Sequence, residues 1–334
     1  MRPIETKSDT ILHLSDLHIG AAHGFPPPGN SSRRSADLAE TITRAVEYAD
    51  AEVGVLIVSG DLICDGAAEN FASAHQFLTD LQRQLGLDRE HCIVVPGNSD
   101  FHKLHPGVQP RRDYRHENDY RLFARSFYLR DIQDLETLYR YSTPSGWDIS
   151  CIALNSARLR GEDSLEYGFV GAHRYSAMLE YALQTVGVTR FSSRDKKLGL
   201  AVMHHHVMPV YPEDDLNALG RPSLAGDAGD ITNRLQEAGV SAVLHGHHHL
   251  PFFGYQSKSV VRNGVWEAPS PFDGGVYVWG AGSAGADKDH LPELLRLNSM
   301  NMYTLGLDTV NVACYTFGPR EAVRLLMRSE LPLF

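Results

Sequence analysis

The sequence is short of several things, and each shortage excludes something. Its four cysteines, Cys64, Cys92, Cys151 and Cys314, stand far apart with no paired spacing. That argues against a disulfide framework or a zinc ribbon and fits a reducing, cytoplasmic setting. No apolar run approaches the roughly 18 residues of a membrane span, so no membrane partner is expected. Residues 1–10 carry two acids and two bases and lack the apolar segment of a secretion signal. Positive charge is also short: a net charge of -10 over 334 residues offers no global attraction to nucleic acid. There is no internal repeat, low-complexity tract or linker, which points to one domain over residues 1–334. With 43% hydrophobic and 22% charged residues, that domain can bury an ordinary core.

What is present is a series of short runs rich in Val, Ile and Leu, at Ile11–Leu14, Val53–Ser59, Cys92–Val95, Ile149–Asn155, Leu198–Met203 and Val240–Leu244. Such runs read as strands buried on both faces. Amphipathic helices lie between them. Leu38, Ile42, Ala45, Val46 and Ala49 share one helical face, Phe71, Ala74, Leu78, Leu81 and Leu85 another. A further helix is expected over Asp230–Ala238, with Gly239 as its stop. The alternation predicts an α/β fold. After Gly264 the runs Val276–Trp279, Met302–Leu307 and Val310–Thr316 follow without helices, as if completing a second, more antiparallel sheet.

Five segments that each end an apolar run carry residues of metal-ligand type: Asp16-Leu17-His18, Gly60-Asp61, Gly97-Asn98-Ser99-Asp100, His204-His205-His206 and Gly246-His247-His248-His249. Each would sit in a loop at the carboxyl edge of a sheet, where open α/β folds bind ligands. Nine of the 17 histidines fall in or beside these segments. Singly, Asp16 could be a cap and Asn98 a turn former; jointly they suit two borderline-hard metal ions. His13 and His245 lie inside apolar runs and read as buried supports, and His248 should point away from the metals.

The five segments, in this order and spacing, resemble the calcineurin-like metallophosphoesterases, whose pattern is D-x-H, G-D, G-N-H-D/E, H and G-H-x-H. The resemblance covers about residues 11–250. It implies a two-sheet β-sandwich flanked by helices, a four-layer α/β/β/α arrangement. It also implies hydrolysis of a phosphate ester by a metal-bridging hydroxide. Asp16, His18 and His249 would hold one metal, Asn98, His205 and His247 the other, and Asp61 would bridge them. In the triple histidine, His205 matches the register of relatives with a His-His-His-Pro segment, Val207 replacing the Pro, and is preferred to His204. A shared carboxylate can hold two ions about 3.5–4 Å apart. Ligands without thiolate suit Mn first, and also Fe or Zn.

One position departs from the pattern. Ser99 stands where most relatives carry a His that can protonate the leaving oxygen, a loss worth about 10²–10⁴ in rate. His102, three residues on, is the first candidate to serve instead; His105 and His23 are others. The segment 101–130 carries a net +4 in an acidic chain, and residues 101–147 are expected to form a basic loop–helix cap able to grip a phosphate through Lys103, Arg111, Arg112 or Arg115. A small phosphodiester of nucleotide type is the expected substrate, since its leaving group depends less on an acid. Leu154-Asn155-Ser156 and Tyr167-Gly168 resemble the cyclic-nucleotide phosphodiesterase branch. Two alternatives stay open. Ile11–His18 resembles the opening of DNA-repair nucleases, which the acidic composition disfavours, and loss of the His could mark a non-catalytic binding scaffold. Nothing in the sequence sets an oligomeric state.

Overall fold

In the computed structural model, residues 1–27, 37–64, 67–101, 117–131, 134–158, 168–210, 224–257, 260–262, 265–267 and 275–333 are described. The elements run β1 (Ile4–Glu5), β2 (Thr10–Leu14), α1 (Leu38–Tyr48), β3 (Val55–Val58), α2 (Ala68–Gln84), β4 (Cys92–Val94) and α3 (Asn118–Tyr128). Then come β5 (Thr137–Ser142), β6 (Asp148–Ala153), α4 (Ala172–Val186), β7 (Lys197–Val202), α5 (Ala228–Glu237) and β8 (Val240–His245). The chain continues through β9 (Phe252–Gln256), β10 (Val260–Arg262), β11 (Val265–Glu267), β12 (Val276–Gly280), β13 (Asn298–Leu305), β14 (Thr309–Gly318) and β15 (Glu321–Pro332).

Two sheets stack face to face. One has the order β1-β5-β6-β7-β8-β12-β9, the other β15-β14-β13-β2-β3-β4, and β10 and β11 form a separate hairpin. Their facing sides share a core in which Ile11, Val55, Ile57 and Ile93 meet Ile149, Leu200, Leu244 and Trp279. The outer face of the smaller sheet is covered by α1, α2 and α3, whose Ile42, Leu78 and Phe123 pack on Leu12, Leu56 and Val58. The outer face of the larger sheet is covered by α4 and α5 through Leu179, Ile231 and Leu235. The chain is thus a two-sheet sandwich flanked by helices. The strands expected to read as fully buried do so: β2, β3, β4 and β8 have every residue buried.

Local chemistry fixes the helix ends. Asp37 caps α1 by accepting from the Glu40 amide at 2.9 Å. Gly239, in the left-handed region at φ 74°, follows α5 as expected.

The tail completes the second sheet with antiparallel pairings, as expected, except for β12. β13 pairs antiparallel with β2, and β14 and β15 extend that same sheet, while β12 inserts parallel to β8 in the other. Of the cap expected over residues 101–147, only part lies among the described residues. In α3, Phe123 stacks on Phe71 with ring centroids 5.2 Å apart, so the helix buries its apolar stripe on α2. Residues 137–142 are β5, an inner strand between β1 and β6. Residues 102–116, which hold His102, Lys103, His105, Arg111, Arg112 and Arg115, lie outside the described residues.

Candidate metal centre

The parallel strands β2, β3, β4, β7 and β8 all point their carboxyl ends to one edge, and the five segments follow them there. The turns are tight. Asp16, His18, Asp61, His247 and His249 have φ of 52°, 46°, 51°, 79° and 56°. Five of the nine non-glycine residues with positive φ among the described residues therefore belong to this edge. Such backbone costs of the order of 1 kcal/mol or more per residue and gathers at functional sites. Close approach demands glycine nearby: a Cβ on Gly97 would collide with Asp61, and one on Gly246 with Ser15 and Asp16.

Two groups of donor atoms converge. In the first, His18 Nε2 lies 2.8 Å from His249 Nε2, and Asp16 Oδ1 lies 3.4 Å from His249 Nε2 and 3.8 Å from His18 Nε2. In the second, His204 Nε2 lies 3.0 Å from Asn98 Oδ1, 3.1 Å from His247 Nδ1 and 3.4 Å from Asp61 Oδ1. Asp61 spans both, because its Oδ2 is 3.6 Å from His18 Nε2.

The histidine that enters the second group is His204, not His205. His204 Nδ1 donates to the Ser59 carbonyl at 2.8 Å, which leaves the Nε2 lone pair for the cluster. The neighbouring His205 ring packs against His247, ring centroids 4.6 Å apart, and takes its hydrogen bond from another side. Ser156 Oγ accepts the amides of His204 and His205 at 3.2 and 3.1 Å, so both its lone pairs are used. Its own proton then goes to His205 Nδ1 at 2.9 Å, and His205 carries its ring proton on Nε2. That nitrogen is buried and has no hydrogen-bond partner among the described residues. His248 points away as expected and meets His206, Nε2 to Nε2, at 3.2 Å.

Electrostatics favour positive charge here. Asp16 and Asp61 are 0% and 3% exposed. Burial opposes the charge of Asp16, but His18 and His249 hold its carboxyl well below the usual range. Burial likewise opposes protonation of His249, yet Asp16 carries it up to about 9. His204 is raised too, burial being outweighed by Asp61 and Asp16. His205 and His247 go the other way, pushed well down by burial and by neighbouring imidazoles.

A second set of residues holds the first in place. Asp16 Oδ2 accepts the His247 amide at 3.0 Å, and Ser283 Oγ donates to the Asp16 carbonyl at 2.6 Å. His249 Nδ1 donates to the His290 carbonyl at 2.7 Å, again presenting Nε2 inward. Asp100 accepts the Gly97 and Ile63 amides at 2.8 and 3.0 Å and so shapes the turn bearing Asn98. Ser99 donates both its amide and its hydroxyl to Asp61, each at 2.8 Å. The position expected to face a leaving group is thus bonded to the shared carboxylate. Ser283 and His290 belong to no motif. The small-residue run Gly280–Gly285 after a strand was the one available signal for a close backbone approach.

The calcineurin-like phosphoesterase family model matches residues 9–251, most of the chain. The chain belongs to the calcineurin-like phosphoesterases. No curated protein matches it. Among solved structures, it is similar to purple acid phosphatase PPD1 from yellow lupin (Lupinus luteus) seeds at 11% identity and a TM-score of 0.61. That match covers 99% of this chain and 55% of the phosphatase, so the phosphoesterase spans about half the length of that relative. A putative 5'-nucleotidase from Staphylococcus aureus matches at 13% identity and TM-score 0.42, over 97% of this chain and 54% of that one. Vps29 of Entamoeba histolytica, complexed with zinc, matches at 13% and 0.38, over 96% and 98%. At these identities the likeness speaks for the fold alone, and only the phosphatase match is close enough to bear on it.

Members of the family typically bind two divalent metals, and the residues of this phosphoesterase fit such ions. Asp16, His18 and His249 form one group that could hold a metal, and Asp16, Asp61 and His204 another. Asp16 Oδ1 is buried and accepts no hydrogen bond, an expense that a cation beside it would remove.

Proposed function

We propose that this phosphoesterase hydrolyses small phosphodiesters of nucleotide type, using a pair of metal ions with manganese as the first choice. The observation that carries the reading is the convergence of Asp16, His18 and His249 on one side of Asp61, and of Asn98, His204 and His247 on the other. Two metal ions, when bound there, supply polarisation of the phosphoryl oxygens and an acidified water.

The chain's own residues do the rest. The Ser59 and His290 carbonyls hold His204 and His249 in the tautomers that face inward. The shared carboxylate is fixed by Ser99 before substrate arrives, so no reorganisation is spent on it. Ser99 gives its hydroxyl proton to Asp61, and a serine hydroxyl is too weak an acid to protonate a departing alkoxide. That favours diesters and anhydrides whose leaving oxygen departs as a weak base.

The test is metal content by mass spectrometry beside turnover of bis-p-nitrophenyl phosphate and p-nitrophenyl phosphate with added manganese. Two metals per chain with faster diester turnover are expected. Two metals with monoester turnover ahead would overturn the diesterase reading, and a chain that retains no metal would overturn the centre itself.

A further inference from the structure

The two large sheets have four edge strands among the described residues, and three of them are short. β1 has two residues, β4 three and β9 five. The edge of β4 is also closed by a side chain: the Tyr128 hydroxyl accepts the Val94 amide and donates to the Cys92 carbonyl, each at 3.0 Å. β15 is different. It runs for 12 residues at the end of the smaller sheet, and no strand among the described residues lies beyond it. Leu325 and Leu326 leave an apolar patch along it, 42% and 50% exposed. A long open edge is a template for another strand.

The composition of β15 says which strand. Cys314 faces Met327 and Tyr315 faces Leu325, so Leu326 is the extra residue of a bulge. From Met327 to Pro332 the pairing with β14 is regular. In that stretch Met327 and Leu331 pack on the core between the sheets. Arg328 and Glu330 take the opposite face and are exposed. Each already meets its own sheet, Arg328 donating to the Tyr315 hydroxyl at 3.2 Å and Glu330 accepting from Thr309 at 2.8 Å. A guanidinium has five donors and a carboxylate about four lone-pair sites, so both keep capacity for a partner. Ser329 is the midpoint of both pairs. An antiparallel copy of this strand centred on Ser329 sets Arg328 opposite Glu330 twice and Met327 opposite Leu331 twice. Moving the centre to Arg328 or to Glu330 sets like charges against each other, which is unfavourable.

From this register we infer that the phosphoesterase forms a two-fold dimer through β15, the stretch from Met327 to Leu331 pairing antiparallel with the same residues of a second copy. The surface is self-complementary, as a two-fold contact requires. The bulge at Leu326 confines the pairing to a short stretch, so the association is weak and depends on protein concentration. It is independent of the metal centre.

The experiment is sedimentation equilibrium of the full chain from low micromolar to near-millimolar protein. It compares the wild type, Arg328→Glu, Glu330→Arg and an equimolar mixture of the two variants. Both side chains are exposed, so the fold does not depend on them. The wild type is expected to dimerise. Each variant alone sets like charges opposite twice and should associate at least about tenfold more weakly. The mixture should restore association, because every opposed pair is again one acid and one base. A wild type that stays monomeric throughout would overturn the dimer and leave the edge to a strand of another protein. Single variants that associate as tightly as the wild type would overturn β15 as the interface, and a mixture that restores nothing would overturn the register.

Discussion

The ring of His204 is held by the backbone of Ser59: its Nδ1 donates to that carbonyl at 2.8 Å, and the opposite nitrogen is left to face Asn98 and Asp61. One hydrogen bond across two sheets therefore aims the His204 ring at the cluster of candidate ligands.

Removing that ring should cost a ligand, and removing its neighbour should not. His204→Ala is expected to lose one of two metals and at least about 10²-fold in turnover. His205→Ala is expected to keep both metals and lose about 1–3 kcal/mol of stability, because Ser156 loses its partner and a packed ring becomes a cavity. Metal analysis and urea unfolding read the two effects separately. The opposite pattern would restore the register expected from the sequence.

Asp61 reaches His18 on one side and His204 on the other, so its loss should be worse than that of any one imidazole. In Asp61→Ala the metal content should fall below one per chain and turnover should reach background. A variant that still held two metals would show that Asp61 merely supports the turn.

Asp100 is nearly inaccessible, and burial together with Asp61 pushes its carboxyl up to about 8. Asp100→Ala strands the Gly97 and Ile63 amides, a loss of about 2–4 kcal/mol. Denaturant unfolding of the metal-free protein should show a lower midpoint with an unchanged slope. A midpoint equal to the wild type would mean that water or a rearranged turn satisfies both amides.

His13 supplies a pH dependence away from the metal ligands. It is fully buried between Tyr303 and Ser59, at 3.0 and 2.8 Å, and burial pushes it down to about 3 from 6.5. The unfolded chain therefore binds a proton below 6.5 that the folded chain refuses until about 3. Stability is full above pH 6.5 and falls as pH drops through that window, by about 2 kcal/mol at pH 5 from this group. His13→Gln should be less stable at pH 7 yet lose less between pH 7 and pH 5. Equal losses in the two proteins would place the acid sensitivity elsewhere.

Much of this was legible from the residues. Strands such as β2, β3 and β8 are buried on both faces, so their apolar runs announce them, and the ligand residues follow because turns end strands. What stayed hidden depends on distant partners. β5 reads as Thr-Leu-Tyr-Arg-Tyr-Ser, and its buried Arg140 makes sense only beside Asp148, which it grips at 2.7 and 2.9 Å. β15 has no continuous apolar run, since most of its residues are exposed. The choice between His204 and His205 turns on where β7 ends, and a slip of one residue exchanges the two rings. Asp16's bond to Ser283 joins residues 267 apart, and no local pattern marks it.

The left-handed turns at Asp16, His18, Asp61, His247 and His249 restrict how this chain can vary. Aspartate and histidine are among the few non-glycine residues that enter that region readily, and they are also the residues proposed to hold the metals. Backbone shape and coordination therefore select the same short alphabet at each position. Glutamate, a longer carboxylate, could supply the oxygen but not the turn, and glycine the turn but not the oxygen. A library at these five positions should return almost nothing but Asp, Asn and His, however strongly it is selected for another metal.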